Sequence, residues 1–268
     1  MSPSSAARPL IIGHRGASAI APENTIAAFT RALQDGAEGL EFDVRLASDG
    51  VPVVIHDATL QRTAQMPGAV ADFTAAELAR IDAGSWFNHK YPEAAQPGYP
   101  HETIPTLEQL FDALAGNDSR LYLEMKSDGT QVERLAAAVV KLINDFSFSA
   151  RVVVESFDLP ALQAVKEIDK DIRTAALFES RINSPVALLR SRKAVALAVK
   201  VGASEIALHH SLATERVTAQ AAKEHLPVVV WTVDQPSWIN RARALGVFAV
   251  ITNDCEAMIR ERTRLAAL

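Results

Sequence analysis

One cysteine, Cys255, is all that the 268 residues contain, which excludes an internal disulfide and any zinc site built on several thiolates. Aromatic residues are scarce at 6%. The core must therefore come from Ala, Val, Leu and Ile, the residues of layered helices and parallel strands. No stretch approaches the roughly 20 apolar residues of a membrane-spanning helix. No apolar run of signal-peptide length follows Met1–Pro9 before His14 and Arg15 interrupt it. A reducing, cytoplasmic setting is expected. Basic blocks are absent too. The 27 Lys and Arg against 32 Asp and Glu give a net charge of −5, which points away from nucleic acid and from stable insertion into membranes. No Gly-rich phosphate fingerprint follows the first strand candidate, which argues against an open nucleotide-binding sheet. Nothing in the sequence specifies an oligomeric state.

What the chain does have is a rhythm. Eight short apolar runs read as strands: Leu10–Gly13, Gly39–Val44, Leu121–Met125, Val152–Glu155, Arg173–Phe178, Glu205–Leu208, Val228–Thr232 and Phe248–Thr252. They are near-continuously apolar, as strands buried on both faces are. Segments of helical spacing separate them, with Ile26, Phe29 and Leu33 on one face, then Leu135, Val139 and Leu142, then Trp238, Ala242 and Leu245. Thr106 with Gln109 spells a capping box, and Asp234 before Pro236 reads as another helix start. The pattern predicts an α/β fold, a (β/α)8 barrel filling residues 1–268 as one domain.

A ninth run, Pro52–His56, follows the second strand after only Ala47–Gly50. That is too short for a parallel crossover, so Ser48-Asp49-Gly50 predicts an antiparallel hairpin. The hairpin would bring His56 back beside Glu41 and Asp43. Residues from about 57 to 103 break the rhythm with Pro67, Pro92, Pro97, Pro100 and the cluster Trp86-Phe87 with Tyr91. With a helical piece at Thr74–Ile81, this segment is expected to form a small insertion over the barrel mouth.

Active sites of such barrels lie at the C-terminal ends of the strands, and there the polar residues collect. Side chains two apart on a strand share a face, so Glu41 and Asp43 point together, as do Glu124 and Lys126. Carboxylates among Leu40, Phe42, Val44 and Leu123 need a counter-charge. Either a hard divalent cation, Mg²⁺ or Ca²⁺, sits between Glu41, Asp43 and Glu124, or these acids pair with Arg15 and Lys126. His14 and His56 are the candidates for proton transfer. Arg15 and Lys126 suit an anionic group such as phosphate. Trp231 reads equally as core or as an aromatic wall, and His209 and His210 as structural or rim residues.

Together these residues resemble the glycerophosphodiester phosphodiesterase family. The resemblance runs through His14-Arg15-Gly16, Pro22-Glu23-Asn24-Thr25, Glu41-Phe42-Asp43-Val44, His56-Asp57, Gly84-Ser85-Trp86-Phe87, Leu123-Glu124-Met125-Lys126, Ser156-Phe157 and Trp231-Thr232-Val233. It implies a barrel with an insertion, and metal-dependent hydrolysis of a small glycerophosphodiester to sn-glycerol 3-phosphate and an alcohol. It also implies metal ligands at Glu41, Asp43 and Glu124, His14 and His56 as acid and base, and phosphate contacts from Arg15 and Lys126. Asn24 would support the site, with Phe157 and Trp231 beside the substrate. Thr252-Asn253-Asp254-Cys255 departs from the family pattern and reads as a loop outside the chemistry. The alternatives carried alongside are a barrel acting on lysophospholipids or stopping at a cyclic phosphate, a two-carboxylate glycosidase, and a non-catalytic phosphate-ester binding protein.

Overall fold

The computed structural model describes residues 8–126, 129, 131–179 and 193–267. Its strands are β1 (Leu10–His14), β2 (Gly39–Leu46), β3 (Pro52–Val54), β4 (Arg120–Met125), β5 (Val152–Ser156), β6 (Arg173–Phe178), β7 (Glu205–His209), β8 (Val228–Trp231) and β9 (Ala249–Thr252). All but β3 are parallel, and β1 pairs with both β2 and β9, which closes an eight-stranded barrel. Alternation along each strand divides the core. Ile12, Tyr122, Val153, Ala207 and Val229 fill the barrel interior, while Leu40, Phe42, Leu121 and Leu123 pack outward under the helices. Two covered faces are why the strands read as unbroken apolar runs. Helices such as Ile26–Gln34, Val132–Asp145 and Leu159–Ile168 form that outer layer, burying Phe29, Leu135, Val139 and Leu162. Thr106 and Gln109 make the expected capping box. Among the described residues no helix is long and apolar enough to cross a membrane.

Strand β3 is the antiparallel arm of the expected hairpin, with Val44 opposite Val54. It ends two residues earlier than the sequence suggested. Ile55 still donates its N–H to the Asp43 carbonyl at 2.9 Å, so His56 leaves the sheet beside Asp43. The following segment packs Leu60, Val70 and Leu78 on Val53 and Ile55. It then lays Trp86, Phe87 and Tyr99 against Ala21 and Ala28. The insertion thus grips the hairpin and the loop after β1.

At the opposite, N-terminal end of the barrel, Glu205 is fully buried. It accepts from Arg120, from Arg173 at 2.7 Å and from the Tyr122 hydroxyl at 2.8 Å. One carboxylate on β7 satisfied by three donors, two from β4 and one from β6, ties that end together across the barrel.

One helix-start expectation is corrected. The helix is Trp238–Ala244 with its cap at Ser237. Asp234 lies too far upstream to reach the first-turn N–H groups. It turns instead to the end of β9, where Asn253 offers two donors.

Candidate active site

Parallel register sets the acid cluster. Asp43 on β2 lies opposite Glu124 on β4, and Glu41 points the same way as Asp43. One carboxylate oxygen from each of the three lies within 4.8 Å of the others, and all three side chains are buried. Burial pushes Glu124 up to about 7 against the pull of Lys126, and burial with Asp43 alongside pushes Glu41 well above the carboxylate range. At Asp43 burial also opposes charge, but Arg15 and Lys126 outweigh it and hold the carboxyl low. The cluster therefore carries one firmly ionised acid and two that retain protons readily.

Two cations face it. Lys126 Nζ is 2.7 Å from Glu124 Oε1 and 3.1 Å from Asp43 Oδ1. Arg15 Nε is 3.1 Å from Asp43 Oδ2, and its Nη1 donates to Glu23 at 2.8 Å. Asp43 Oδ1 is buried with the Lys126 ammonium as its ion-pair partner. Three buried carboxylates whose oxygens approach within 4.8 Å of one another fit a hard divalent cation. The ion pairs and the cation site thus share one set of residues.

The backbone contributes as well. Arg15 and Asn24 have φ of +54° and +58°, a left-handed conformation that disfavours side chains by about 1–2 kcal/mol. In return the Arg15 N–H reaches Glu41 Oε2 at 3.0 Å, and Asn24 Nδ2 reaches Asp43 Oδ2 at 2.9 Å. Gly16 follows at φ +84°, where a Cβ would lie 2.5 Å from the Ala28 backbone.

The histidines flank the cluster with different partners. His14 Nε2 is 3.8 Å from Glu41 Oε2, while its Nδ1 is 2.6 Å from Asn253 Oδ1. Burial, aided by Arg15, lowers His14 to about 4. His56 Nδ1 meets the Asp57 carboxylate at 2.6 Å. Because β3 has already ended, neighbours in sequence can touch, which strand alternation would forbid. Arg62, from the insertion, bridges Asp57 at 2.7 Å and Glu23 at 2.5 Å. Burial is the main influence lowering His56, opposed by Asp43 and Asp57.

His14, Arg15, Glu41, His56, Glu124 and Lys126 line one cavity of about 390 Å³. Its far wall holds Phe157 and Trp231, ring centroids 5.4 Å apart and edge to face, with Lys126 Nζ 5.9 Å from the Phe157 ring. Trp231 Nε1 is buried with no acceptor among the described residues. His209 sits edge to face with Trp231 at 5.4 Å and stacks on His210, which leaves both on the rim.

Sequence reasoning passed over three residues. Asn253, in the run set aside as a loop, contacts His14 directly, so the loop is part of the site. Glu155, near the end of β5, lies beside Glu124 on β4. It is buried in the cavity wall, its Oε2 has no donor among the described residues, and burial together with Glu41 and Glu124 raises it well above the ordinary range. Arg62 lies in the insertion, where spacing carries no positional information. For Asn253 and Glu155 the usable signal was position at the C-terminal end of a barrel strand.

Comparison with known proteins bears on this geometry. A profile described as the Glycerophosphoryl diester phosphodiesterase family matches residues 14–257. A glycerophosphodiester phosphodiesterase of Caldanaerobacter subterraneus subsp. tengcongensis is 33% identical over 252 residues, covering 94% of this chain and 97% of the relative. Among solved structures, an Oleispira antarctica phosphodiesterase in complex with the product sn-glycerol-3-phosphate superposes with a TM-score of 0.79 at 26% identity, covering 94% of this chain and 96% of that one. A glycerophosphodiester phosphodiesterase of Agrobacterium tumefaciens gives 0.76 at 26%, covering 94% and 99%.

Proposed function

The chain belongs to the glycerophosphoryl diester phosphodiesterase family, and we infer on that premise that it hydrolyses glycerophosphodiesters to sn-glycerol 3-phosphate and an alcohol, using one divalent cation and two histidines. The observation that carries the reading is the convergence of three carboxylates, two cations and two differently partnered histidines on a single cavity. The product complex of the Oleispira antarctica relative supports the substrate class. We take the barrel and residues 57–103 as one catalytic domain in a cytoplasmic setting, for which the lone, buried Cys255 is the support.

Glu41, Asp43 and Glu124 would hold Mg²⁺ or Ca²⁺, which when bound neutralises phosphoryl charge. Arg15 and Lys126 add fixed positive charge for the phosphate oxygens. Phe157 and Trp231 form the wall against the organic part of the substrate, with Trp231 Nε1 available to an oxygen acceptor. His14, neutral at ordinary pH and presenting Nε2 to the cluster, takes the proton from the attacking hydroxyl, whether of water or of the glycerol carbon next to the phosphate. His56, whose imidazolium is stabilised by Asp57, gives a proton to the leaving alcohol oxygen. With water as nucleophile, one P–O bond forms and one breaks to give sn-glycerol 3-phosphate directly; with the glycerol hydroxyl, the same exchange gives a cyclic phosphodiester, which water then opens by forming one P–O bond and breaking another.

The test is hydrolysis of glycerophosphocholine by chelator-treated protein with Mg²⁺, Ca²⁺ or Mn²⁺ restored, beside His14→Ala and His56→Ala. Each histidine variant should lose about 10²–10⁴-fold in kcat while binding cation normally. Near-normal turnover in both would sink the acid/base roles, and full activity in excess chelator would sink the cation.

A further inference from the structure

We propose that Asp234 and Asn253 form a relay that fixes which nitrogen of His14 carries hydrogen, making Asp234 a positioning residue two hydrogen bonds removed from the imidazole. The proposal rests on the role given to His14 above, and its first readout does not need activity.

An ionised carboxylate only accepts, and Asp234 uses both oxygens. Oδ1 takes the backbone N–H of Asn253 at 2.8 Å and the Thr252 hydroxyl at 3.1 Å, and Oδ2 takes Asn253 Nδ2 at 2.7 Å. The amide of Asn253 therefore cannot turn over. Its NH2 is committed to Asp234 and its Oδ1 faces the site. That oxygen accepts the Ser18 hydroxyl at 2.7 Å and lies 2.6 Å from His14 Nδ1. The Asn253 carbonyl is itself anchored by the Ala19 N–H at 3.0 Å, so the backbone is held as well. A carbonyl oxygen has no hydrogen to give, so Nδ1 must donate and Nε2 keeps its lone pair. Nε2 is the nitrogen turned toward Glu41.

Asp234→Asn tests this with almost no change of shape. The substituted side chain has one oxygen where three donors wait. The backbone N–H of Asn253 cannot turn away, so the oxygen stays with it and the new NH2 confronts Asn253 Nδ2. Two NH2 groups repel. Asn253 escapes by turning its amide over, presenting oxygen to position 234 and NH2 to His14. Ser18 can follow, because a hydroxyl accepts as well as donates. His14 Nδ1 must then accept, its hydrogen moves to Nε2, and the site holds an N–H where a base needs a lone pair. Adding Asn253→Asp to the same chain restores the logic. A carboxylate at 253 accepts from His14 Nδ1, from Ser18 and from the amide at 234, so no two NH2 groups confront each other.

The experiment reads the His14 tautomer by long-range ¹H–¹⁵N correlation in histidine-labelled protein, with His14→Asn assigning the signal, beside steady-state hydrolysis of glycerophosphocholine. Wild type should show hydrogen on Nδ1. Asp234→Asn should show it on Nε2, with kcat down about 10²–10⁴-fold, the scale of a wrongly held tautomer, and KM within about threefold. The double variant should recover the Nδ1 tautomer and most of kcat. Retention of hydrogen on Nδ1 in Asp234→Asn would overturn the relay, and so would an equal loss of kcat in the single and double variants. A tautomer that switches and is rescued in a protein without any hydrolysis supports the relay and overturns only the function assigned to the site.

Discussion

A divalent cation should stabilise this protein much more at pH 8 than at pH 5.5. The perturbation is exchange of cation for proton at the buried cluster. Glu124 lies at about 7 because burial outweighs Lys126, and Glu41 is raised in the same direction. Each binds a proton more tightly in the folded chain than in the unfolded one. In the metal-free protein the contribution of Glu124 to stability therefore falls as pH rises from about 4.5 through about 7, and that of Glu41 changes in the same direction. A cation needs both groups ionised, so below pH 7 it must displace at least the Glu124 proton. At pH 5.5 that competition weakens apparent affinity by about 1.5 decades, or about 2 kcal/mol. Cation at about 100 times its pH 8 dissociation constant stabilises by about 2.7 kcal/mol there. The same concentration yields under about 1 kcal/mol at pH 5.5. For a chain of this size the shifts in melting temperature are about 5–11 °C at pH 8 and about 2–3 °C at pH 5.5. Differential scanning fluorimetry of chelator-treated protein, titrated with Mg²⁺ and Ca²⁺ at both pH values, reads this directly. Equal shifts at the two pH values, or an undiminished shift in Asp43→Asn and Glu124→Gln, would refute the reasoning.

Two further expectations concern the scaffold. Glu205→Gln leaves Arg120 and Arg173 without their carboxylate, a loss of about 3–5 kcal/mol for a buried pair. The lower end applies because Arg173 is 38% exposed. Urea denaturation should show it, with kcat unchanged because Glu205 lies at the opposite end of the barrel from the cavity; an unchanged denaturation midpoint would contradict the network's role. Gly84→Ala would place a Cβ 1.8 Å from the Tyr99 carbonyl oxygen, forcing the cluster of Trp86, Phe87 and Tyr99 apart at about 1–3 kcal/mol. Faster proteolysis within residues 57–103 would follow, and wild-type resistance would show that the backbone accommodates the methyl group.

The sequence by itself determined the strands, the hairpin and the shared face of Glu41 with Asp43, because each follows from a short-range rule. Unbroken apolar runs between helical segments require strands covered on both faces. A four-residue link cannot span a parallel crossover, so β3 must return along β2. A period of two puts Glu41 with Asp43 and Glu124 with Lys126 wherever those strands go. Only the tertiary structure could decide what depends on register between distant strands. It set Asp43 opposite Glu124 and swung Asp234 away from its helix to Asn253. Across 239 positions it put Asn253 against His14. It also showed that β3 stops before His56, which lets Asp57 hold that ring and Arg62 hold Asp57 in turn. Side-chain hydrogen bonds reach about 3 Å, and no pattern read along a chain reports which residues closure of a barrel will bring that near. The three carboxylates and two histidines were therefore legible as a set, while the partners that make one histidine unlike the other were not.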